Sequence, residues 1–359
     1  MLPTRRITTL RGDVFRDEYS LAFDGSNDYV EIPSTTYDVD GGTVSFTFWA
    51  KRNDISVQNL VMSANNNYKN INLHSNGNLY IESDTNDDLA SAPITQDTNW
   101  HHYVITCNSG TVAMYEDGIS LTMGDSSIGD DITFNKISTS SAKVFNGNIS
   151  EVAIYNCTLT ANQVKTIYNG REPYNHKEGV ASGNLQAWYR MGDSSLKPFD
   201  KNSGNILIGD ETNITLGNNM VTNGTFDADS DWTKGTGWTI GSGVASASSV
   251  GMSNILSQDI SAVTGKIYRV SFDITAYSGG SIIFVDIGSS ITATNNVVAT
   301  TTGHRTIYVK AAGSDLLIAG MSFGLEFSGS IDNVKVQLLG GNAGLTKNMA
   351  VNDFEGDTP

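Results

Sequence analysis

Apolar and polar residues alternate along much of the first half of the chain. Leu21 and Phe23 precede a polar turn at 24–28, and Val30 and Ile32 follow it. Because successive side chains of a strand point to opposite faces, this period of two predicts β-strands that bury one face. Further strands are predicted wherever the period recurs, at 44–50, 60–63, 71–74, 79–82, 101–107, 111–116 and 149–155.

One segment departs from this period and predicts a helix. Thr160 precedes the run Ala161–Tyr168, and Gln163 stands at the spacing of a capping box. Gly170 comes just after the run, where a helix end favours a residue that tolerates positive φ. The sequence therefore predicts one short helix after the first group of strands.

The second half carries another group of strand-like runs, at 238–240, 268–274, 282–287, 306–309, 316–319 and 331–338. Many short strands separated by polar turns are typical of sandwiches. The predicted fold class is all-β: two β-sandwich (jelly-roll) domains joined by a linker, with one short helix near the end of the first. The expected organisation is an N-terminal arm (1–17), a first sandwich (18–171), a linker (172–219), a second sandwich (220–339) and a C-terminal tail (340–359).

The composition is compatible with folded β domains, and the net charge argues against two classes of partner. The 359 residues include 36 Gly and 6 Pro, and 39% are hydrophobic, enough to build cores. A net charge of −16 repels phosphates and anionic lipids, so neither nucleic acid nor a membrane is the expected partner. Cys107 and Cys157 lack metal-ligand spacing and are expected to be buried thiols. No signal peptide or membrane span is recognised in the sequence.

Four ordered blocks of the first half resemble the laminin-G-like, or concanavalin A-like, jelly-roll family. They are Ser20–Ile32, Phe46–Arg52, Asn99–Thr106 with Met114–Gly118 after it, and Phe145–Tyr155 leading into the helix. The resemblance covers roughly residues 18–171 and implies a two-sheet jelly roll. It leaves function open, because lectins, hydrolases and adhesion modules share this fold.

The second half resembles the galactose-binding-like sandwich of several carbohydrate-binding module families. The matching pieces are Val221–Asp227, the segment from Trp232 to Trp238, and Ile331–Val336. Modules of both kinds, joined by a segment such as Trp188–Asp193, resemble appendage or decoration proteins of tailed phages. The resemblance therefore implies a virion protein with carbohydrate-binding-like modules.

The sequence argues against an enzyme. Concanavalin A-like hydrolases carry a Glu-x-Asp-x-(x)-Glu strand that places their carboxylates on one face. The nearest match, Glu82 with Asp84, has Asn86 at the last position, or Asp87 with the longer spacing, so the acid/base Glu is missing or altered. A polar strand end is the alternative interpretation. His101 and His102 are adjacent in a strand and cannot bind one metal together.

Calcium is the expected cofactor, in a structural role, because turns rich in Asp, Asn and Gly supply the oxygen ligands it prefers. The first resemblance implies a site between Asp24 and the segment around Ser150, where relatives often have Asp instead of Ser. The second resemblance implies a site shared by Asp227 and Asp332. In each case the alternative is an acid that only caps its own turn or lies exposed.

Sugar binding requires an exposed aromatic ring flanked by hydrogen-bonding side chains. Trp232 and Trp238 flank a Gly-rich loop and are candidate contacts, although Trp238 alternates with Ile240. Tyr68 and Asn67 lie in a second polar loop and are also candidates. Trp49 and Trp100, inside framework blocks, are expected in the core.

The leading hypothesis is a non-enzymatic phage virion protein, in a capsid decoration, fibre or tail appendage, that stabilises the particle or adheres to host-surface glycans. Arg5, Arg6 and Arg11 would dock on another virion protein. The expected partners are virion proteins, cell-surface glycans and further copies of the chain in a homo-oligomer. Assembly in the host cytoplasm and release by lysis would make export unnecessary. The alternatives are a bacterial lectin acting alone and, less favoured, a polysaccharide-degrading enzyme.

Overall fold

The computed structural model describes residues 18–64, 68–83, 88–139, 142–172, 174–191, 207–280, 282–292, 296–322, 324–349 and 353–359. Arg5, Arg6, Arg11 and Asn67 lie outside these ranges. Within them the protein is nearly all-β and its sheets are antiparallel. One short α-helix, α1 (Ala161–Tyr168), follows the first group of strands, which confirms the predicted fold class.

The strands follow one another closely along the chain. In the first half they are β1 (Ser20–Asp24), β2 (Tyr29–Tyr37), β3 (Thr43–Arg52), β4 (Asn59–Ser63), β5 (Asn70–Leu73), β6 (Asn78–Glu82), β7 (Leu89–Pro93), β8 (Trp100–Asn108), β9 (Thr111–Glu116), β10 (Ile119–Ser120), β11 (Ile132–Ser138), β12 (Asn146–Tyr155) and β13 (Leu185–Tyr189). In the second half they are β14 (Leu207–Ile208), β15 (Thr215–Asn219), β16 (Thr233–Lys234), β17 (Trp238–Gly241), β18 (Val244–Val250), β19 (Leu256–Asp259), β20 (Ile267–Gly279), β21 (Ile282–Gly288), β22 (Asn296–Val298), β23 (Gly303–Lys310), β24 (Asp315–Gly320), β25 (Phe327–Gly340), β26 (Gly344–Lys347) and β27 (Phe354–Glu355).

Two sheets enclose the larger core and form the first sandwich. Sheet A has the order β10-β9-β8-β3-β12-β1-β27, with β13 also paired to β12, and sheet B has the order β14-β26-β2-β11-β4-β5-β6-β7. The period of two sends Phe46 and Phe48 of β3, and Ile71 and Leu73 of β5, between the sheets. Each such buried side chain contributes about 1.5–3 kcal/mol to stability.

The outer face of sheet A is covered by other parts of the chain. Val164 and Ile167 of α1 pack on Val104 of β8, and Trp188 of β13 joins the same cluster beside Tyr155. Strands β8 and β12 are therefore buried on both faces. This cover comes from segments that follow the jelly-roll strands in sequence.

The helix begins with the predicted capping box. The Gln163 N–H donates to Thr160 Oγ1 at 3.3 Å, and the Thr160 N–H donates to Gln163 Oε1 at 2.9 Å. At its end the first left-handed residue is Asn169, with φ 50°, and Gly170 follows with φ 65°. Asn tolerates this conformation because its short amide side chain can hydrogen-bond locally.

A second core lies between two further sheets and forms the second sandwich. One sheet has the order β17-β18-β25-β20-β23, with β15 paired to β25, and the other has the order β16-β19-β24-β21-β22. Phe272, Phe327 and Val336 are among its fully buried residues. The long strands β20 and β25 pair through several register shifts, and such bulges increase the local twist of a sheet.

After the second sandwich the chain returns to the first. β26 pairs with β2, and β27 pairs with β1, where Phe354 stands opposite Leu21. A Cβ on Gly344 would lie 2.7 Å from Val30 Cγ1, so the close approach of β26 to β2 requires glycine. Residues within the segment expected to be a C-terminal tail thus form strands of both sheets of the first sandwich. Their short strands carry too little local pattern to reveal a partner more than 300 residues away.

The segment expected to be a linker is also partly built into the sheets. β13 pairs with β12, β14 pairs with β26, and β15 pairs with β25 of the second sandwich. The outgoing and returning chains therefore run side by side between the two sandwiches. A small apolar cluster covers this crossing and consists of Leu207, Tyr308, Leu339, Ala343 and Leu345.

Candidate functional site

The structure does not bring together the two calcium ligands expected in the first sandwich. Asp24 stands opposite Asn146 in the β1–β12 pair, and Ser150 lies four residues further along β12. At about 3.3 Å per residue, this offset is about 13 Å. Ser150 is fully buried, whereas Asp24 is exposed and its Oδ1 accepts the Ser26 N–H at 2.7 Å. Asp24 therefore caps its own turn, and the two residues do not share a site.

Asp227 and Asp332 lie on neighbouring elements, as predicted. The turn before Asp227 packs on β25, where the Val334 N–H donates to the Gly224 carbonyl at 2.9 Å. Asp227 Oδ2 accepts the Thr225 hydroxyl at 2.8 Å, and Asp332 Oδ1 accepts the next backbone N–H at 2.6 Å. These hydrogen bonds are local to each carboxylate, so a cation shared by the pair stays a prediction.

Both tryptophans predicted to contact sugar are buried in the second core. Trp232 is 7% exposed and Trp238 is 5% exposed. Their indole N–H groups donate to the backbone carbonyls of Asn223 at 3.0 Å and Asn254 at 2.9 Å. A sugar ring needs an exposed aromatic face. The structure corrects this prediction, because both rings fill the space between the sheets.

Tyr68 is a predicted sugar contact that the structure leaves accessible. Its residue surface is 53% exposed, in the turn between β4 and β5. The neighbouring Lys69 Nζ donates to the Asp131 carbonyl. Tyr68 is therefore accessible to solvent, and its contact with a sugar stays a prediction.

Two residues after Tyr68, the outer surface of strands β5 and β6 becomes a compact polar patch. We call it the β5–β6 face, and it consists of Asn70, Asn72, Asn78, Tyr80 and Glu82. The alternate residues of both strands enter the core: Ile71, Leu73, Leu79 and Ile81. The period of two thus separates a core side from a polar side.

Hydrogen bonds orient the polar groups of the β5–β6 face. Glu82 Oε2 accepts the Asn70 amide at 2.7 Å, and Glu82 Oε1 accepts the Asn72 amide at 3.1 Å. The Tyr80 hydroxyl accepts amide N–H groups of Asn76 at 2.7 Å and of Asn78 at 3.1 Å. Glu82 and Tyr80 are half-buried, so both also reach solvent. The face presents an oriented carboxylate beside a phenol ring.

One acceptor of this face is left without a partner among the described residues. Asn72 is fully buried, and its Nδ2 donates to Asn70 Oδ1 at 2.7 Å and to Glu82. Its Oδ1 is buried and makes no hydrogen bond. A buried unsatisfied acceptor costs about 1–3 kcal/mol. The neighbouring Glu82 carboxylate, which Asn72 orients, is a group of this face that reaches solvent.

The β5–β6 face is one end of a polar row that crosses sheet B. Five residues on adjacent strands form the row, each opposite the next: Glu31 on β2, Lys136 on β11, Ser63 on β4, Asn70 on β5 and Glu82 on β6. Adjacent strands lie about 4.8 Å apart, so the row is about 19 Å long. Its centre is closed to solvent, because Lys136, Ser63 and Asn70 are buried. Only the two ends, at Glu31 and Glu82, remain partly exposed.

At the Glu31 end a cavity opens between the two sandwiches, which we call the interdomain cleft. Its volume is about 420 Å³, and Glu31, Asn135, Lys266, Lys310 and Leu338 are among its lining residues. Lys310 Nζ donates to Glu31 Oε1 at 2.7 Å. Burial alone would raise the pKa of Glu31, but the lysines outweigh burial and hold the pKa below its ordinary value. Glu31 is therefore a carboxylate at neutral pH.

Three exposed or half-exposed acids meet elsewhere on the first sandwich. Carboxylate oxygens of Asp38, Asp40 and Asp131 lie within 4.8 Å of one another. Burial first, and then the charges of the other two acids, raise the pKa of Asp131. This spacing is compatible with one cation bound by oxygen ligands. Exposed acids also cluster without a cation, so the spacing alone assigns none.

The adjacent histidines point to opposite faces, as the strand period predicts. His101 Nδ1 lies 2.9 Å from Asp117 Oδ2 and its Nε2 lies 3.0 Å from Asp97 Oδ1, and the Asp117 hydrogen bond raises the His101 pKa above its ordinary value. His102 Nε2 lies 2.6 Å from Thr47 Oγ1, under the cover of sheet A. Burial lowers the His102 pKa to about 3. Both roles are structural.

Sequence reasoning placed Asn70 at the end of a polar loop and missed Asn72 and Tyr80 as members of a site. Each is one polar residue in a strand, and no motif links the two strands. The available signal was the pattern itself: polar residues alternate with apolar ones in 70–73 and again in 78–82. Only the register, which sets Asn72 opposite Tyr80 and Asn70 opposite Glu82, brings them together.

Comparison with known proteins identifies the fold of the first sandwich. Residues 24–165 match the concanavalin A-like lectin/glucanases superfamily and form a laminin G-like jelly roll. No curated protein matches the chain in sequence. Among the described residues, no helix is both long and apolar enough to cross a membrane.

Several solved structures resemble the chain at low identity. A proposed carbohydrate-binding protein of Bacteroides ovatus matches with 16% identity and a TM-score of 0.39, over 54% of this chain and 55% of its own. Domain 4 of a Geobacillus stearothermophilus arabinanase, bound to arabinotriose, matches with 18% identity and a TM-score of 0.29, over 43% and 75%. Domains LG4-5 of the mouse laminin α1 chain match with 9% identity and a TM-score of 0.30, over 93% of each chain. At these identities the likeness concerns the fold alone.

Proposed function

We propose that the protein is a non-catalytic carbohydrate-binding protein whose first sandwich contacts a saccharide through the β5–β6 face. The observation that carries this proposal is the half-exposed Glu82 carboxylate, held in place by the amides of Asn70 and Asn72, beside the half-exposed Tyr80 ring. A saccharide hydroxyl can donate to the Glu82 carboxylate while the C–H side of the ring contacts Tyr80. The lectin-type fold of residues 24–165 is compatible with this role.

The chemistry of the face suits a sugar ring. Pyranose rings have an apolar C–H side and polar edges, so they stack on aromatic rings and hydrogen-bond to amides and carboxylates. Tyr80 supplies a half-exposed ring, and Asn78 and Glu82 flank it on the same strand. Tyr68, 53% exposed, adds a second aromatic group nearby in sequence. The combination of aromatic, amide and carboxylate groups favours neutral hydroxyl-rich ligands.

The carboxylates of the polar row favour binding over hydrolysis. Glycoside hydrolases hold two carboxyl groups about 5–9.5 Å apart. Glu31 and Glu82 stand at opposite ends of the row, about 19 Å apart by strand spacing. Asp84, Asn86 and Asp87, the remaining positions of the hydrolase-like pattern, lie outside the described residues.

A glycan array followed by calorimetry with the best neutral oligosaccharide tests the proposal. Tyr80→Ala and Glu82→Gln should each weaken binding about tenfold, equivalent to about 1.4 kcal/mol. The matched controls are Tyr277→Ala, an exposed tyrosine of the second sandwich, and Glu178→Gln, an exposed acid outside sheet B. Both controls should bind as the unmodified protein does.

Two results would contradict the proposal. If Tyr80→Ala and Glu82→Gln bind as tightly as the controls, the β5–β6 face is not the contact surface. If the protein releases reducing ends from laminarin or agar, and Glu82→Gln abolishes this release, the protein is an enzyme. Melting curves of all variants establish that each one is folded.

We further propose, from the sequence resemblance, that this binding operates on a phage particle, as part of a capsid decoration, fibre or tail appendage. The Arg5, Arg6 and Arg11 segment would dock on an acidic surface of another virion protein. Mass spectrometry of purified virions should detect the chain, and replacing the three arginines by Gln should reduce its incorporation. Absence of the chain from the particles would overturn this role.

Structural calcium is also part of the proposal. Chelation with EDTA should lower the melting temperature if an ion ties distant elements together. Asp332→Ala should remove most of this sensitivity if the ion lies in the second sandwich, and Asp40→Asn should do so if it lies in the Asp38, Asp40 and Asp131 cluster. A melting temperature unaffected by EDTA would count against both sites.

A further inference from the structure

The interdomain cleft is a cavity built by both sandwiches. Its volume of about 420 Å³ falls within the range of small-ligand sites, about 300–1,000 Å³. Pro33 and Asn135 line it from the first sandwich, and Ile267 and Leu338 line it from the second. Leu338 is 36% exposed and supplies an apolar side chain to the wall of the cleft. The cleft thus combines an apolar wall with hydrogen-bonding groups.

Lysines dominate the charge around the cleft. Lys310 lies 2.7 Å and Lys347 lies 3.6 Å from the carboxylate oxygens of Glu31. Lys136 follows Glu31 in the polar row, with its Nζ 5.7 Å from the centre of the Tyr29 ring. Two lysines therefore pair with one carboxylate, and a third lies on the neighbouring strand. This excess of positive charge is local, because the whole chain carries a net charge of −16.

A fourth lysine lines the cleft from the second sandwich. Lys266 is exposed, and among the described residues it lies in no ion pair within 4 Å. It precedes Ile267 of β20, and Ile267 stands opposite Lys310 of β23. The pairing puts Lys266 and Lys310 at the same end of that sheet. Lys266 can consequently meet an anion directly, Lys310 would share its charge between that anion and Glu31, and the apolar wall can contact a ring.

We propose that the interdomain cleft binds an acidic saccharide, with the carboxylate or sulfate of the sugar facing Lys266 and Lys310. The inference rests on the proposed carbohydrate-binding function and names a ligand class for a second contact region. Leu338 and Pro33 meet the C–H side of the ring, and Asn135 meets its hydroxyls. Because the lysines come from the second sandwich and Asn135 from the first, the site requires both.

Calorimetry with a charged probe and its uncharged twin tests this site. Oligogalacturonate should bind at least tenfold more tightly than its methyl ester, which has the same ring and no charge. Its affinity should fall between 50 and 500 mM NaCl, since salt screens exposed charges. Lys266→Gln and Lys310→Gln should each weaken oligogalacturonate binding at least threefold. Lys177→Gln, an exposed lysine outside sheet B, should leave it unchanged.

A sulfated galactan oligomer distinguishes the two possible anions. Tighter binding of the uronate assigns a carboxylate sugar to the cleft, and tighter binding of the sulfated oligomer assigns a sulfated sugar. Equal binding of oligogalacturonate and its methyl ester would overturn the proposal. So would lysine variants that bind as Lys177→Gln does, with melting curves showing that they are folded.

The same measurements separate this inference from the proposed function. Suppose that neutral oligosaccharides bind, that Tyr80→Ala weakens their binding, and that oligogalacturonate binds no more tightly than its methyl ester. The acidic-saccharide site is then wrong, and the β5–β6 face is supported. If oligogalacturonate binding depends on Lys266 but no saccharide responds to Tyr80→Ala, the cleft holds and the β5–β6 face is wrong. If no saccharide binds, both are wrong.

Discussion

The two outer faces of the first sandwich differ in how their side chains are kept from water. On sheet A, α1 packs over the strands, and Trp188 of β13, a strand of the same sheet, joins this apolar cluster and is only 2% exposed. On sheet B, the outer positions are polar and hydrogen-bond among themselves, as Asn70, Asn72 and Glu82 do. The outer face of sheet A is covered by other parts of the chain, whereas the outer face of sheet B ends in half-exposed polar groups.

The apolar cover of sheet A mainly stabilises the fold, whereas the polar outer face of sheet B has groups that can bind a ligand. Apolar cover stabilises in proportion to the area removed from water and needs no partner geometry. Buried polar groups stabilise only when every donor and acceptor is paired. The unpaired Oδ1 of Asn72 departs from that condition. Among the described residues, unpaired buried atoms also occur on the covered side, at His102 Nδ1 and at Asp210 Oδ2 beside Trp188, so the two faces differ in solvent access. On sheet B the polar groups of Tyr80 and Glu82 reach solvent.

The largest effect is expected on the covered face. Trp188→Ala should lower the free energy of unfolding by about 3–5 kcal/mol, because it removes a buried indole and leaves a cavity. It also removes the indole N–H that donates to the buried Glu151 Oε2 at 2.5 Å. Denaturant unfolding followed by circular dichroism measures the change. Tyr68→Ala, on the exposed side of sheet B, should change stability by no more than about 0.5 kcal/mol. Equal losses would remove the distinction between the faces.

An intermediate effect is expected within the polar face. Asn72→Asp would place a second buried carboxylate beside Glu82 and should destabilise the protein by about 3 kcal/mol at pH 7. The loss should shrink as the pH falls and one carboxyl takes up a proton. Asn78→Asp, at a half-buried position of the same face, is the control and should cost much less. A mild, pH-independent effect of Asn72→Asp would mean that this face is well solvated.

The smallest effect on stability is expected when the pH is lowered. Burial lowers the pKa values of His102 and His176, both on the covered side, to about 3 from 6.5. The unfolded chain therefore binds protons that the folded protein does not, and stability falls as the pH drops below 6.5. Between pH 6.5 and 5 each histidine accounts for about 2 kcal/mol. His102→Gln should reduce this loss relative to the unmodified protein in unfolding curves at both pH values, and an unchanged loss would contradict the assignment.

Much of the fold was predictable because its signals are local. The alternation at 44–50 and 79–82 predicted strands, and Thr160 with Gln163 predicted the start of the helix. Each signal lies within a few residues and depends on backbone geometry alone. The short strands β26 and β27 offered no such signal, because a few residues in a Gly-rich stretch do not reveal which strand they join.

The candidate site was predictable only in part. Tyr68 was singled out from its polar loop and is exposed, and Glu82 was singled out from a carboxylate pattern that belongs to hydrolases. Trp232 and Trp238 were expected to be exposed, yet the same aromatic residues fill the second core. Exposure depends on what packs over a strand, and an aromatic ring beside a Gly-rich loop fits either environment.

The sequence by itself determined the all-β class, the period that divides each strand into a core side and an outer side, and the capped helix. These follow from steric and hydrogen-bonding preferences between residues close along the chain. Only the tertiary structure decided which outer side is covered, that the chain returns from the second sandwich to β2 and β1, and that Asn72, Tyr80 and Glu82 meet. The same return places the interdomain cleft beside Glu31. Those outcomes depend on pairing and packing between segments far apart in sequence, which no local pattern encodes.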